Sequence, residues 1–393
     1  MTSSLPGVLV MVNTLAFGGA EKHAVSLANH LDPARFRVSF CHLKADPPVA
    51  AAATLADQLD RSRVEALLCL NVRRKLDWRA VTELARAIDS LHIDVILCTN
   101  GYPLLYALLA ARLARRPVRL VEVFHSTGFQ TPIKSRLRML VNALAFRQCA
   151  LIVYVSQRQR EYWHARGLRG QRDMVIYNGI DTAHFTDRYS PEQKTALRAQ
   201  FGYAPDDYVI GICAGLRPEK AHGDLLLGLS RLRAAGVAAR LLIIGDGPQR
   251  PFIEQRIAEL QLQDSVAITG YQRDVRPYIA CCDVMTLTSI ETFSIAALEA
   301  MSLGKPMVMG CIGGGAEQVA DGTSGLLFQP GDVEALARHL QTLADRERRS
   351  TMGAAAAQAV RERFTIQRMV ATFTAELQKL TDASLRLTST VPN

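Results

Sequence analysis

The chain has 393 residues, 49% of them hydrophobic and 21% charged, with a formal net charge of +9. That length exceeds one hydrophobic core and predicts two domains of about 150 to 200 residues each. The composition is ordinary for a globular protein. With no apolar run near the roughly 18 residues of a membrane span, and no basic residues ahead of the apolar start "MTSSLPGVLVMV", neither a membrane-spanning helix nor a cleaved signal peptide is expected.

Apolar, β-branched runs alternate with helical patterns along the whole chain. In the first half they are "GVLVMVN", "FRVSFCHL", "VEALLCL", "DVILCTN", "VRLVEVF", "LIVYVS" and "MVIYN"; in the second, "YVIGICAG", "RLLIIGDG", "SVAITG", "DVMTLTS" and "PMVMG". This alternation predicts βαβ units and two parallel, doubly wound sheets with helices on both faces. The expected fold class is α/β, with two Rossmann-like domains facing across a cleft. The predicted boundaries are 1–185 and 186–360, because "NGIDTAHFTDRYSPEQ" replaces strand residues by turn formers before a helix opens at Pro191. A helix over 361–381 and a polar tail over 382–393 follow.

The charge is divided unevenly. Residues 1–185 hold 24 Lys and Arg against 14 Asp and Glu, whereas residues 186–393 hold 22 against 23. Within 101–172 there are 13 basic residues and only Glu122 and Glu161 as acids. This region reads either as a solvated surface or as a face meeting an anionic membrane. In "TPIKSRLRMLVNALAF" the residues Ile133, Leu137, Leu140, Val141 and Leu144 recur at helical spacing, with Lys134, Arg136 and Arg138 off that stripe. Such a helix is either core or interfacial. Without a recognition module or aromatic residues among the basic ones, nucleic acid is not an expected partner. The eight cysteines lie mostly in apolar runs without zinc-like spacing and are expected to be free thiols in a reducing cytoplasm, with no metal site.

Ligands of doubly wound sheets bind beyond the carboxyl ends of the strands, and five motifs map there. Gly18 and Gly19, after the first strand, clear side chains from a turn into a helix, so backbone amides can approach a phosphate or hydroxyl. The segment is not G-x-G-x-x-G, which argues against a dinucleotide site. In "GICAGLRPEKAHGDLLLGL", Arg217 and Lys220 precede a helix. They can neutralise a diphosphate, although the loop also reads as merely exposed and basic. Gly245 and Gly247 of "IIGDGPQR" offer a backbone edge for a nucleotide, Gly270 and Tyr271 can frame a base ring, and "GCIGGGAEQVADG" brings amides of Gly313 to Gly315 to the sheet edge. The fourth strand of the second half, "DVMTLTS", runs into "ETFSIAALEAM". With a helix from about Phe293, Glu299 lies about 12 Å along the axis from Glu291. That separation suits a ribose diol at Glu299, sugar hydroxyls at Glu291 and phosphates at free amides near Phe293 and Ser294.

From "GGAEKHAVSLA" through "VIYNGID" and "LRPEK" to "ETFSIAALEAMSLGKPMV" and "EQVADGTSGLLF", the chain resembles the retaining GT-B glycosyltransferases of family 4. The resemblance implies an N-terminal acceptor domain, a C-terminal nucleotide-sugar domain and a last helix crossing back to the first. It places Glu299 on the ribose, Glu291 near the donor sugar, Lys220 on the diphosphate, the Gly18/Gly19 loop beside phosphates and acceptor, and His125 of "VEVFHSTG" near the transferred sugar. The family's usual arginine, five residues before the lysine, is Gly215 here, and Arg217 is the candidate replacement. The implied reaction carries a hexosyl group, from a UDP-sugar first and GDP-mannose second, to a hydroxyl of a glycan acceptor. It needs no cofactor and no essential metal. A lipid-linked acceptor of cell-envelope polysaccharide or lipopolysaccharide, met at the cytoplasmic membrane face, fits the basic first domain. A catalytically silent partner subunit, a sugar-nucleotide epimerase of the same fold and a nicotinamide-dependent oxidoreductase are the competing readings.

Overall fold

A computed structural model describes residues 5–45, 54–126 and 135–388. The chain forms two compact units, Met1–Asn178 joined by Ile366–Asn393, and Gly179–Thr365.

The first unit holds a seven-stranded sheet of β1 (Gly7–Val12), β2 (Arg37–His42), β3 (Leu67–Cys69), β4 (Ile93–Thr99), β5 (Arg119–Phe124), β6 (Leu151–Tyr154) and β7 (Asp173–Val175), in the order β3-β2-β1-β4-β5-β6-β7. All pairings are parallel. The helices are α1 (Gly19–His30), α2 (Trp78–Ser90), α3 (Gly101–Leu113), α4 (Ser135–Phe146) and α5 (Gln157–His164). Both faces of the sheet are covered, so β1 is apolar at every position. Val8, Val10 and Val12 pack with Leu27 of α1, while Leu9 and Met11 pack with Leu84 of α2 and Tyr106 of α3.

The second unit has a six-stranded parallel sheet of β8 (Tyr208–Cys213), β9 (Ala239–Ile244), β10 (Val266–Ile268), β11 (Val284–Leu287), β12 (Met307–Gly310) and β13 (Gly325–Phe328), ordered β10-β9-β8-β11-β12-β13. Its helices are α6 (Pro191–Gln200), α7 (His222–Ala234), α8 (Arg250–Glu259), α9 (Arg276–Cys281), α10 (Ile295–Ser302), α11 (Gly315–Gln318), α12 (Val333–Thr342) and α13 (Arg346–Arg363). Strand β13 is absent from the sequence reading. It is a four-residue edge strand, hidden among the turn formers of "DGTSGLLF".

Three boundaries differ from the sequence reading. The first unit ends at Asn178 rather than 185, because the Ile180 N–H donates to Phe364 O and the Ser302 hydroxyl donates to Phe185 O, fixing 180–185 to the second unit. The second unit extends to Thr365 rather than 360, since α13 runs to Arg363 and Phe364 is buried against Phe293, ring centroids 5.4 Å apart. The last helix, α14, spans Ile366–Thr388 instead of 361–381 and so enters the expected tail. No proline or glycine interrupts "TDASLRLT". Its residues Ile366, Met369, Val370, Phe373, Leu377 and Leu380 form a helical stripe packed into the first unit's core, and Glu376 pairs with Arg172.

Of the helix proposed around 131–146, Ile133 lies outside the described residues. In α4, Phe146 is buried whereas Val141 and Leu144 are exposed, so these two do not serve as core.

Candidate active site

Strand order reverses between β8 and β11 in the second unit, which opens a crevice at their carboxyl ends. The loop after β8 carries Lys220 and the loop after β11 carries Glu291. The two meet there, Lys220 Nζ standing 2.5 Å from Glu291 Oε1. The Ser289 hydroxyl donates to the same oxygen at 2.5 Å, and the Thr288 hydroxyl donates to the carbonyls of Lys220 and Ala221 at 2.8 and 3.1 Å. One strand end therefore clamps both the cation and its partner. The lysine comes forward through a short 3₁₀ turn, Pro218–Lys220, and Ala221 in the left-handed region (φ 49°) turns the chain into α7. Behind it, burial and the neighbouring Lys220 charge hold the imidazole of His222 down to about 4.

Arg217 is exposed, and its side chain lies over Gly215: a Cβ built on that glycine would stand 3.8 Å from Arg217 Nε. A guanidinium is thus beside the position left bare by Gly215. Gly245 and Gly247 serve the loop itself. A Cβ on Gly245 would lie 2.1 Å from Ala214 O, and one on Gly247 2.6 Å from Leu216 O, so both glycines admit the backbone that carries Arg217. Gly270 bridges to Gly245, and Tyr271 is 40% exposed.

The second carboxylate is arranged differently from the sequence expectation. Helix α10 begins at Ile295 rather than near Phe293, with the Ser294 hydroxyl capping the Ala297 N–H. The Ser294 amide is not free for a phosphate. It donates to Gln318 Oε1 at 2.8 Å, and the Gln318 amide returns a bond to Ser294 O at 2.7 Å. Phe293 is buried, and Glu299 is only 3% exposed on α10. The Gly314 amide is likewise engaged, donating to Glu291 O at 2.9 Å. Gly313 and Gly314 thereby fix the backbone of 291–292, since a Cβ on either would come within 2.1 Å of a carbonyl oxygen there.

The first unit has its own reversal between β1 and β4. Gly18 caps α1, and Gly19 faces open space. The His125 N–H, after β5, donates to Asn100 Oδ1 at 2.9 Å from the loop after β4. The His125 ring lies 4.8 Å from that of His23 on α1, which in turn lies 5.6 Å from the Phe373 ring of α14. Burial holds His23 down to about 4, and burial together with His23 pushes His125 well below the ordinary imidazole value.

Sequence reasoning missed Thr288, Ser289, Gln318 and His23. All four sit inside quoted motifs, but a lone hydroxyl, amide or imidazole carries no periodic signal.

A glycosyl transferases group 1 model matches residues 207–346, and a glycosyltransferase family 4 model matches residues 17–184. The chain belongs to glycosyltransferase family 4. Among relatives of this glycosyltransferase, N-acetyl-alpha-D-glucosaminyl L-malate synthase of Bacillus anthracis is 26% identical over 302 residues, covering 76% of this chain and 77% of the relative. The 2-deoxystreptamine glucosyltransferase of Streptomyces kanamyceticus is 29% identical over 303 residues, 72% of this chain and 76% of the relative. Anabaena HepE, solved with UDP and glucose, superposes with a TM-score of 0.80 at 24% identity, covering 94% of this chain and 99% of that one. The fold is GT-B, and the protein is a glycosyltransferase.

Proposed function

We propose that the protein is a retaining hexosyltransferase that moves a hexosyl group from a UDP-sugar, with GDP-mannose the next candidate, to a hydroxyl of a lipid-linked cell-envelope glycan. The observation that carries this reading is the Lys220–Glu291 pair at the switch point, 2.5 Å apart and clamped by Thr288 and Ser289. When a donor enters, Lys220 turns to the diphosphate and Glu291 is released to the sugar hydroxyls. Arg217 supplies the second positive charge and Glu299 takes the ribose. In the reaction the acceptor oxygen bonds to the anomeric carbon from the face that the diphosphate leaves. The anomeric C–O bond breaks, and the acceptor proton passes to the departing phosphate oxygen. Lys220 and Arg217 stabilise the charge that develops there, so the reaction needs no metal. The neutral His125 borders the transferred sugar. The Anabaena neighbour's UDP and glucose support the choice of donor.

Thermal-shift measurements with UDP-, GDP- and ADP-sugars, and NADPH as control, test the reading. A ligand at 100 times its dissociation constant stabilises by about 2.7 kcal/mol. A shift with one sugar nucleotide, turnover unaffected by EDTA and a product of unchanged anomeric configuration by NMR are expected. A shift with NADPH alone would overturn the donor site, and inverted product would overturn retention.

A further inference from the structure

The loop after β3 presents an unusual surface. Arg73, Arg74, Lys75, Leu76 and Trp78 are all exposed, Leu76 by 42% and Trp78 by 57%. Of these, Arg73, Arg74, Leu76 and Trp78, with Asp77 and Arg79, line a groove of about 420 Å³. Loops that expose such side chains usually have loose backbones. Here the backbone is pinned from beneath: the Tyr102 hydroxyl donates to Lys75 O at 3.0 Å, the Asp77 N–H donates to Tyr106 Oη at 3.0 Å, and Arg79 donates to Leu70 O at 2.9 Å. Asp77 also caps α2 by accepting from the Arg79 N–H. Arg73, Arg74 and Lys75 have no ionic partner among the described residues, and Lys44 adds a cation 5.9 Å from the Tyr102 ring.

The same neighbourhood continues into α4. Asn142 lies against Gly101, whose added Cβ would be 2.9 Å from Asn142 Oδ1, and Gly101 precedes Tyr102. On α4 the neighbouring Val141 and Leu144 are exposed by 44% and 53%. Two apolar pairs thus stand in solvent, Leu76 and Trp78 among the three cations of their own loop, and Val141 and Leu144 on the helix whose Asn142 meets the α3 N-terminus.

We propose that the β3–α2 loop, continued by the exposed side of α4, is a docking face for an anionic lipid membrane. A site for a soluble phosphate needs converging donors and gains nothing from an exposed indole and leucine. A bilayer interface rewards both features, since Trp settles at headgroup level and Lys and Arg are drawn to anionic lipid. The face lies at the carboxyl-end edge of the first unit's sheet, the edge that carries Gly18, Asn100 and His125, so docking there presents a lipid-linked acceptor to those loops. The proposal rests on the lipid-linked acceptor reading only for this purpose.

The test is co-sedimentation of the full chain with vesicles of phosphatidylcholine alone and of phosphatidylcholine with one third phosphatidylglycerol. The chain has two tryptophans, and Trp163 is buried at 5% exposure, so Trp78 reports contact by fluorescence. Binding to the mixed vesicles, weakened by salt and accompanied by a blue shift, is expected. Arg73→Glu/Arg74→Glu/Lys75→Glu should lower partitioning on the order of a hundredfold, and Leu76→Ser/Trp78→Ser should also lower it. Both variants should keep the thermal shift with nucleotide sugar. Equal binding by variants and parent, no blue shift, or loss of binding to inorganic phosphate at constant ionic strength would overturn the docking face. A retained donor shift in that event leaves the transferase reading standing, whereas a lost donor shift with vesicle binding intact would fail that reading alone.

Discussion

The two switch points share a topology and differ in electrostatics. In the second unit the crevice between β8 and β11 holds a lysine and a glutamate in contact, with hydroxyls of the same strand end holding both. In the first unit the corresponding edge holds two imidazoles that burial keeps neutral, and a glycine facing open space. Strand order creates a crevice in each case, and only the loops decide what it can bind. The charged crevice suits a diphosphate whose charge grows as a bond breaks, and the neutral edge suits a hydroxylic sugar or acceptor.

The sharpest way to break this contrast is to discharge the second unit's crevice. Lys220→Ala should lower turnover by about 10²- to 10³-fold, the loss seen when one donor to a developing anion is removed, and Glu291→Ala should do comparable damage. Lys220 and Glu291 keep 27% and 15% side-chain exposure, so melting temperatures should move little. Steady-state rates beside melting curves check both statements, and parental turnover in both variants would remove the proposed roles.

A glycine pair sharpens the comparison further. Gly314→Ala places a Cβ 2.0 Å from Thr292 O, whereas Gly19→Ala meets nothing within 4 Å. The former should cost about 1–3 kcal/mol by overpacking and disturb the backbone of Glu291. The latter should leave stability unchanged. Chemical denaturation reads the difference. Arg217→Ala should cost up to about fivefold in turnover, the scale of an exposed charge interaction, and Gly215→Arg/Arg217→Gly should restore most of it because both positions address the same space.

The two sheets were legible because buried parallel strands are apolar at every position, as in β1. Motif order assigned Lys220 and Glu291 to one donor site, but their contact was not legible, for nothing local says that residues 71 positions apart meet. Of the amides near Phe293 and Ser294 assigned to phosphate, that of Ser294 is not free, and a backbone N–H looks available until its acceptor is known. Gln318 supplies that acceptor from 24 residues away. The end of the last helix was misjudged for a simpler reason: polar residues after Thr381 suggest a tail, but no helix-stopping residue stands before Thr388.

The smallest effect concerns the neutral edge. His23 is buried, neither ring nitrogen has a hydrogen-bond partner among the described residues, and its imidazole is held at about 4. An unfolded histidine titrates near 6.5, so the unfolded chain binds the extra proton first. The stability linked to His23 is therefore complete above about pH 6.5 and is lost as pH falls towards 4, at about 1.4 kcal/mol per pH unit. His125 pulls in the same direction within that window, as does His222 in the second unit. His23→Phe keeps an aromatic ring against Phe373 and removes one titrating group. At pH 7.5 its denaturation midpoint should stay close to that of the parent, whereas between pH 6.5 and 4.5 its stability should fall less steeply. An unchanged slope would mean that His23 carries its proton in the folded chain, and the first unit's edge would then be charged rather than neutral.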